Sequence, residues 1–209
     1  MKIKICGLFR EEDIDYVNEA CPDYAGFVFA ESRRQISPGK AEGFRSRLAG
    51  GIIPVGVFVN APIADIAALY RSGIIKIAQL HGSEDGDYIK ELKDLCGISV
   101  IKTIKINSDR DLSTLTPWRE QIEGNFLDFI MFDSGAGTGK TFDWDLLEPE
   151  KIPLPFFLAG GINLGNIELA KSKNPYAIDV SSGAETEGIK DREKILQLTS
   201  QVKTGWKAK

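Results

Sequence analysis

Two neighbouring stretches decide the fold. Pro155-Phe156-Phe157-Leu158-Ala159-Gly160-Gly161-Ile162-Asn163 is followed, after a helical stretch to about residue 172, by Ala177-Ile178-Asp179-Val180-Ser181-Ser182-Gly183. Each begins as a short apolar run of strand length and ends in glycine or small polar residues. Strand, helix and strand within about thirty residues make a βαβ unit, and its two strands must run parallel.

Working outward from that unit, the same alternation fills the chain. Strands are expected at 2–6, 24–29, 54–59, 74–80, 98–104, 126–132, 155–159 and 177–180. Helical signals lie between them. Ile14, Val17 and Ala20 recur at helical spacing, and Ser37-Pro38 reads as an N-cap with proline at the first helical position. Asn60-Ala61-Pro62 opens a helix with Ile63, Ile66, Ala67 and Tyr70 on one face. Ser83-Glu84-Asp85 opens another, which stops near Cys96-Gly97. A polar helical segment is expected at about 108–120, a helix capped by Asn163 after the seventh strand, and a last helix at about 192–202. Eight such units point to a single-domain (β/α)8 TIM barrel over 1–203, with a short tail at 204–209. A doubly wound open sheet is the rival architecture.

The chain has 209 residues, 43% hydrophobic and 27% charged, which suits one globular domain with a sizeable core. Its formal net charge of −4 lacks the basic excess that drives nucleic-acid or anionic-membrane binding, so neither partner is expected. No apolar run approaches the roughly 18–20 residues of a membrane span. The first residues already read as a strand and not as a signal segment, so a cytoplasmic protein is expected. Cys6, Cys21 and Cys96 show no metal-ligand spacing, and one histidine makes a multi-histidine metal site implausible.

Chemistry in such a barrel sits where strands end. Cys6-Gly7 ends the first strand, Gln79-Leu80-His81-Gly82 the fourth and Asp133-Ser134 the sixth. Gly160-Gly161 and Ser181-Ser182-Gly183 end the last two. Those two glycine loops read either as tight turns or as a cradle of backbone N–H groups for a phosphate. Cys6 is either an inert buried thiol or a base activated by nearby dipoles or a cation. Asp133 closes the apolar run Phe129–Phe132 and is either a local cap or a partly desolvated proton donor. His81 is either a wall of the site or a structural hydrogen bonder. Arg33-Arg34 is either a surface pair or a clamp for a substrate carboxylate.

These segments together resemble the phosphoribosylanthranilate isomerases of tryptophan biosynthesis over essentially the full length. The matching stretches are Lys4-Ile5-Cys6-Gly7-Leu8, Gly26-Phe27-Val28-Phe29 with Ser32-Arg33-Arg34, Val55-Gly56-Val57-Phe58-Val59-Asn60 and Gln79-Leu80-His81-Gly82-Ser83-Glu84. Further on come Gly137-Thr138-Gly139-Lys140, Leu158-Ala159-Gly160-Gly161-Ile162 and Asp179-Val180-Ser181-Ser182-Gly183-Ala184-Glu185.

The resemblance implies a barrel that catalyses an Amadori rearrangement. N-(5-phospho-β-D-ribosyl)anthranilate becomes 1-(2-carboxyphenylamino)-1-deoxy-D-ribulose 5-phosphate, with no metal or organic cofactor. By the same resemblance Cys6 is the general base and Asp133 the general acid. Arg34 meets the anthranilate moiety, and Gly160, Gly161, Ser182 and Gly183 hold the phosphate. Beside what the resemblance implies, His81 and Asp179 are expected to bind substrate as well. Barrels of this family occur as monomers and as homodimers. The loop after Asp133 departs from the family pattern, with only Ser134, Gly135 and Ala136 before Gly137. The histidine-pathway isomerase is a weaker match, because it resembles a duplicated half-barrel with aspartate ending strand one. The alternative in a different class is a catalytically inactive phosphate-binding barrel serving as a metabolite-binding or scaffold protein.

Overall fold

The computed structural model describes residues 1–105, 118–133, 144, 147 and 149–203. Eight parallel strands close into a barrel in sequence order: β1 (Lys2–Cys6), β2 (Tyr24–Val28), β3 (Ile53–Phe58), β4 (Ile77–Leu80), β5 (Ser99–Lys105), β6 (Phe129–Asp133), β7 (Phe156–Leu158) and β8 (Ala177–Val180). β8 pairs back onto β1, with Lys4 opposite Asp179 and Ile5 opposite Val180. The described helices are α1 (Glu11–Ala20), α2 (Pro38–Arg47), α3 (Ile63–Arg71), α4 (Gly86–Cys96), α5 (Arg119–Glu123), α6 (Ile167–Ser172) and α7 (Arg192–Lys203). The closed ring excludes the open doubly wound sheet.

Local chemistry sets the helix ends. Ser37 Oγ accepts from Lys40 N at 3.2 Å, with Pro38 at the first helical position of α2. Asp85 Oδ1 accepts from Tyr88 N at 2.9 Å to start α4, and Gly97 ends it at φ 70°.

Many expected strand bounds move by a residue, and three element starts move by three. β4 begins at Ile77 and not at residue 74, because the amides of Ile74 and Ile75 both bond back to Leu69 O and finish α3. β6 likewise begins at Phe129, since Phe126 N and Leu127 N close onto Gln121 O after α5. α6 starts at Ile167 and not directly after Asn163. Asn163 Oδ1 accepts from Gly165 N, and Asn166 Oδ1 accepts from Asn163 N, so a side-chain-stabilised turn precedes the helix. The expected helical segment at 108–120 lies outside the described residues up to 117, and so do the tail at 204–209 and the loop 134–143.

Strand alternation divides the core in two. Ile3, Ile5, Phe27, Val100, Ile130 and Ile178 face outward and pack with helical Ile14, Val17, Ile89 and Leu198. Inside the barrel, Tyr24, Val55, Ile77, Ile101, Met131, Phe157 and Ala177 form an apolar plug. One step along the same inward face, two residues on, stand Gln79, Thr103, Asp133 and Asp179. The plug therefore makes the floor of a polar chamber at the C-terminal ends of the strands.

Candidate active site

Cys6 is the last residue of β1 and is buried. The strand period of two gives it the inward face it shares with Lys4. Opposite it on β2 stands Gly26, where a Cβ would come within 2.7 Å of the Cys6 sulfur. Gly26 therefore leaves the space that the thiol occupies. Gly7 follows at φ +79°, and a Cβ there would lie 2.4 Å from Arg34 Cδ.

Six of the residues singled out in the sequence meet in one cavity of about 260 Å3. Cys6, Arg34, His81, Asp133, Asp179 and Ser182 all line it. They come from the ends of β1, β4, β6 and β8 and from the loop after β2. A larger recess of about 1050 Å3 opens over Phe29, Phe58 and Val59 beside α3, but it offers no thiol or imidazole. Gly160, Gly161 and Gly183 do not line the smaller cavity; they shape its neighbouring loops. Gly160 and Gly161 take φ 89° and 69°, the left-handed region that glycine tolerates best. A Cβ on Gly183 would fall 1.9 Å from Ile162 O, so the loops after β7 and β8 touch backbone to backbone.

Beneath the cavity runs a buried polar chain that sequence reading missed. Lys4 Nζ donates to Asp179 Oδ1 and to Gln79 Oε1, both at 2.8 Å. Because the Gln79 oxygen faces Lys4, its amide nitrogen faces His81 Nδ1 at 3.3 Å and must donate. The His81 proton then sits on Nε2, which lies 3.5 Å from Asp133 Oδ2. Burial lowers the His81 pKa against the opposing pull of Asp133, so the ring is neutral at pH 7. A lysine two residues before Cys6 was a readable signal, since an inward lysine in a barrel needs a carboxylate partner.

Charge surrounds the thiol. Burial pushes the Cys6 pKa up, while the ammonium groups of Lys4 and Lys190 pull it down without cancelling that rise. Burial alone would lower Lys4, but Asp179 and Cys6 together outweigh it and hold Lys4 above the ordinary lysine value. Lys190 is lowered by burial, against the pull of Glu185. Among the described residues, no group of three or more His, Cys, Asp or Glu side chains could hold a metal ion.

A family model described as N-(5'phosphoribosyl)anthranilate (PRA) isomerase matches residues 3–201. The chain belongs to the phosphoribosylanthranilate isomerase family. The N-(5'-phosphoribosyl)anthranilate isomerase of Endomicrobium trichonymphae is 47% identical over 202 residues, covering 94% of this chain and 95% of that protein. The crystal structure of the Thermus thermophilus phosphoribosyl anthranilate isomerase is 27% identical with a TM-score of 0.82, covering 97% of this chain and 98% of the other. A further isomerase structure, solved in complex with reduced 1-(o-carboxyphenylamino)-1-deoxyribulose 5-phosphate, is 30% identical with a TM-score of 0.80 over the same shares. This member of the family is thus a TIM-barrel isomerase of tryptophan biosynthesis.

Proposed function

We propose that the barrel, residues 1–203, converts N-(5-phospho-β-D-ribosyl)anthranilate to 1-(2-carboxyphenylamino)-1-deoxy-D-ribulose 5-phosphate, with Asp133 as general acid and Cys6 as general base. The observation that carries this reading is that a thiol from β1 and a carboxyl from β6 line one cavity. In the closed ring those strands stand three places apart, so the two groups approach a bound ligand from different sides. The ligand in the relative's complex has the matching chemistry of an aryl carboxylate, a sugar chain and a phosphate.

The reaction begins when Asp133 gives its proton to the ribose ring oxygen. The C1–O bond breaks, and the nitrogen lone pair forms a C=N bond to C1. The resulting cation acidifies the hydrogen on C2. Cys6, as thiolate, removes that hydrogen, and the electron pair left on C2 forms the C1=C2 bond of a neutral enolamine. The enolamine tautomerises to the aminoketone. The Schiff-base cation itself favours the thiolate, which offsets the cost of burying Cys6. His81, neutral with its proton on Nε2, donates toward Asp133 once that group has become a carboxylate. Arg34 takes the anthranilate carboxylate, and Asp179 holds a sugar hydroxyl. The N–H groups of Gly160, Gly161, Ser182 and Gly183 take the phosphate.

An inactive scaffold would be favoured by loss of the acid or the base, and both residues are present. The cytoplasm suits a chain with three free cysteines. The test is a fluorescence assay with freshly formed phosphoribosylanthranilate. Anthranilate emission should fall as product forms, and emission that stays constant with folded protein would refute the proposal.

A further inference from the structure

Past Ser182 the chain makes a small antiparallel hairpin, β9 (Glu185–Thr186) and β10 (Ile189–Lys190). Glu187 and Gly188 turn it with φ 51° and 83°, both in the left-handed region used by tight hairpin turns. The hairpin brings Glu185 against the loop after β2. Its buried carboxylate accepts from Arg34 Nε at 2.6 Å, Arg34 Nη2 at 2.9 Å, Arg33 Nη2 at 2.6 Å and Lys190 Nζ at 2.7 Å. Lys190 Nζ also donates to Ser181 O at 3.0 Å, and Ser181 Oγ to Cys6 O at 3.2 Å. The hairpin is thereby tied to the strand ends that form the cavity.

Arg34 is held on two sides. Glu185 takes the Nε–Nη2 edge of the guanidinium in a two-point fork, and Gly7 backs its Cδ. The other amino group, Nη1, makes no hydrogen bond among the described residues, and the side chain lines the cavity beside Cys6. Three cations converge on one carboxylate, so the cluster keeps net positive charge and still attracts an anion. Burial alone would raise the Glu185 carboxyl, but the bonds from Arg34 and Lys190 outweigh it and keep the group ionised.

We propose that Glu185 is a positioning residue that sets the guanidinium of Arg34 and so gives the enzyme its preference for ligands with an aryl carboxylate. This rests on the reading that Arg34 receives the anthranilate carboxylate. Fixing the fork before binding removes the ordering cost that a free arginine would meet on contact.

The experiment compares two reduced product analogues, one with the 2-carboxyphenyl group and one with a plain phenyl group. Both are titrated calorimetrically against wild type, R34A, E185Q, E185D and the E185Q/R34A double variant. The readout is the ratio of the two affinities. Any unfolded fraction removes sites for both analogues alike and leaves that ratio unchanged. Wild type should prefer the carboxylated analogue, and R34A should lose the preference. E185Q should cut it by about three- to tenfold with little change for the phenyl analogue. E185D should fall between, and E185Q should add nothing in the R34A background. A wild-type ratio in E185Q beside a lost one in R34A would overturn the role of Glu185 while leaving that of Arg34. A wild-type ratio in R34A would overturn both.

Discussion

Lys4 Nζ meets Asp179 Oδ1 at 2.8 Å inside the barrel, one inward step below the Cys6 thiol. Both side chains are nearly or fully buried, at 0% and 8% exposure, so the pair shows almost nothing to water. Such a pair is seldom a large gain in stability by itself, but breaking one half leaves a buried charge without a partner. Here the pair also fixes Gln79 and sets positive charge beside the thiol.

Replacing Lys4 with Met should therefore act twice. The fold should lose about 3–5 kcal/mol in denaturant titrations, because Asp179 is left buried and unpaired. The Cys6 thiol should rise further, since the cation that lowers it is gone. Iodoacetamide alkylation of Cys6 against pH should shift to higher pH. An unshifted alkylation profile would remove Lys4 from the electrostatics of the thiol.

Asp133→Asn keeps shape and removes the transferable proton. Turnover should be abolished while folding and phosphate-analogue affinity stay near wild type. Steady-state kinetics with circular dichroism as the folding control checks this, and a near-normal kcat would take Asp133 out of the reaction.

The adjacent arginines should separate cleanly. Arg34 is 16% exposed in its side chain and Arg33 is 54% exposed, though both reach Glu185. Arg34→Ala should raise KM by about tenfold or more, in keeping with a lost charge-assisted contact. Arg33→Ala should raise it less, because an exposed ion pair contributes little. The reverse order in KM would put the substrate contact on Arg33.

Much of this was legible in the chain itself. Period-two strands and helix stops mark out the barrel, and reactive residues cluster at one set of strand ends. Cys6, His81 and Asp133 stand there because a strand end is where an inward side chain meets open space. What was not legible depends on contacts distant in sequence. The inward place of Lys4 can be read from its spacing to Cys6, but its partners Asp179 and Gln79 show only when the barrel closes around it. Gly26 reads as a weak strand residue until the thiol is seen to fill its missing side chain. The two-residue strands around Glu187-Gly188 are too short for any period to show. Asn163 misled because its side chain favours a turn as readily as a helix start.

Acid should loosen the hairpin. Glu185 titrates below the ordinary value of 4.5 in the folded protein, so its contribution is complete above that pH and is lost as pH falls through the folded value. Asp191, held below 3.8 chiefly by the Thr186 hydroxyl, adds to the same limb. Thermal unfolding should show Tm falling below pH 4.5, and E185Q should flatten that fall. An acid limb as steep in E185Q as in wild type would assign it to other carboxylates.

The most direct measurement is the turnover of Cys6→Ser in the anthranilate fluorescence assay, with product-analogue affinity measured on the same preparation. A hydroxyl is a far weaker base than a thiol at neutral pH, so kcat should fall by about a hundredfold or more while the analogue binds as before. A serine variant that turns over at the wild-type rate would show that another group takes the C2 proton.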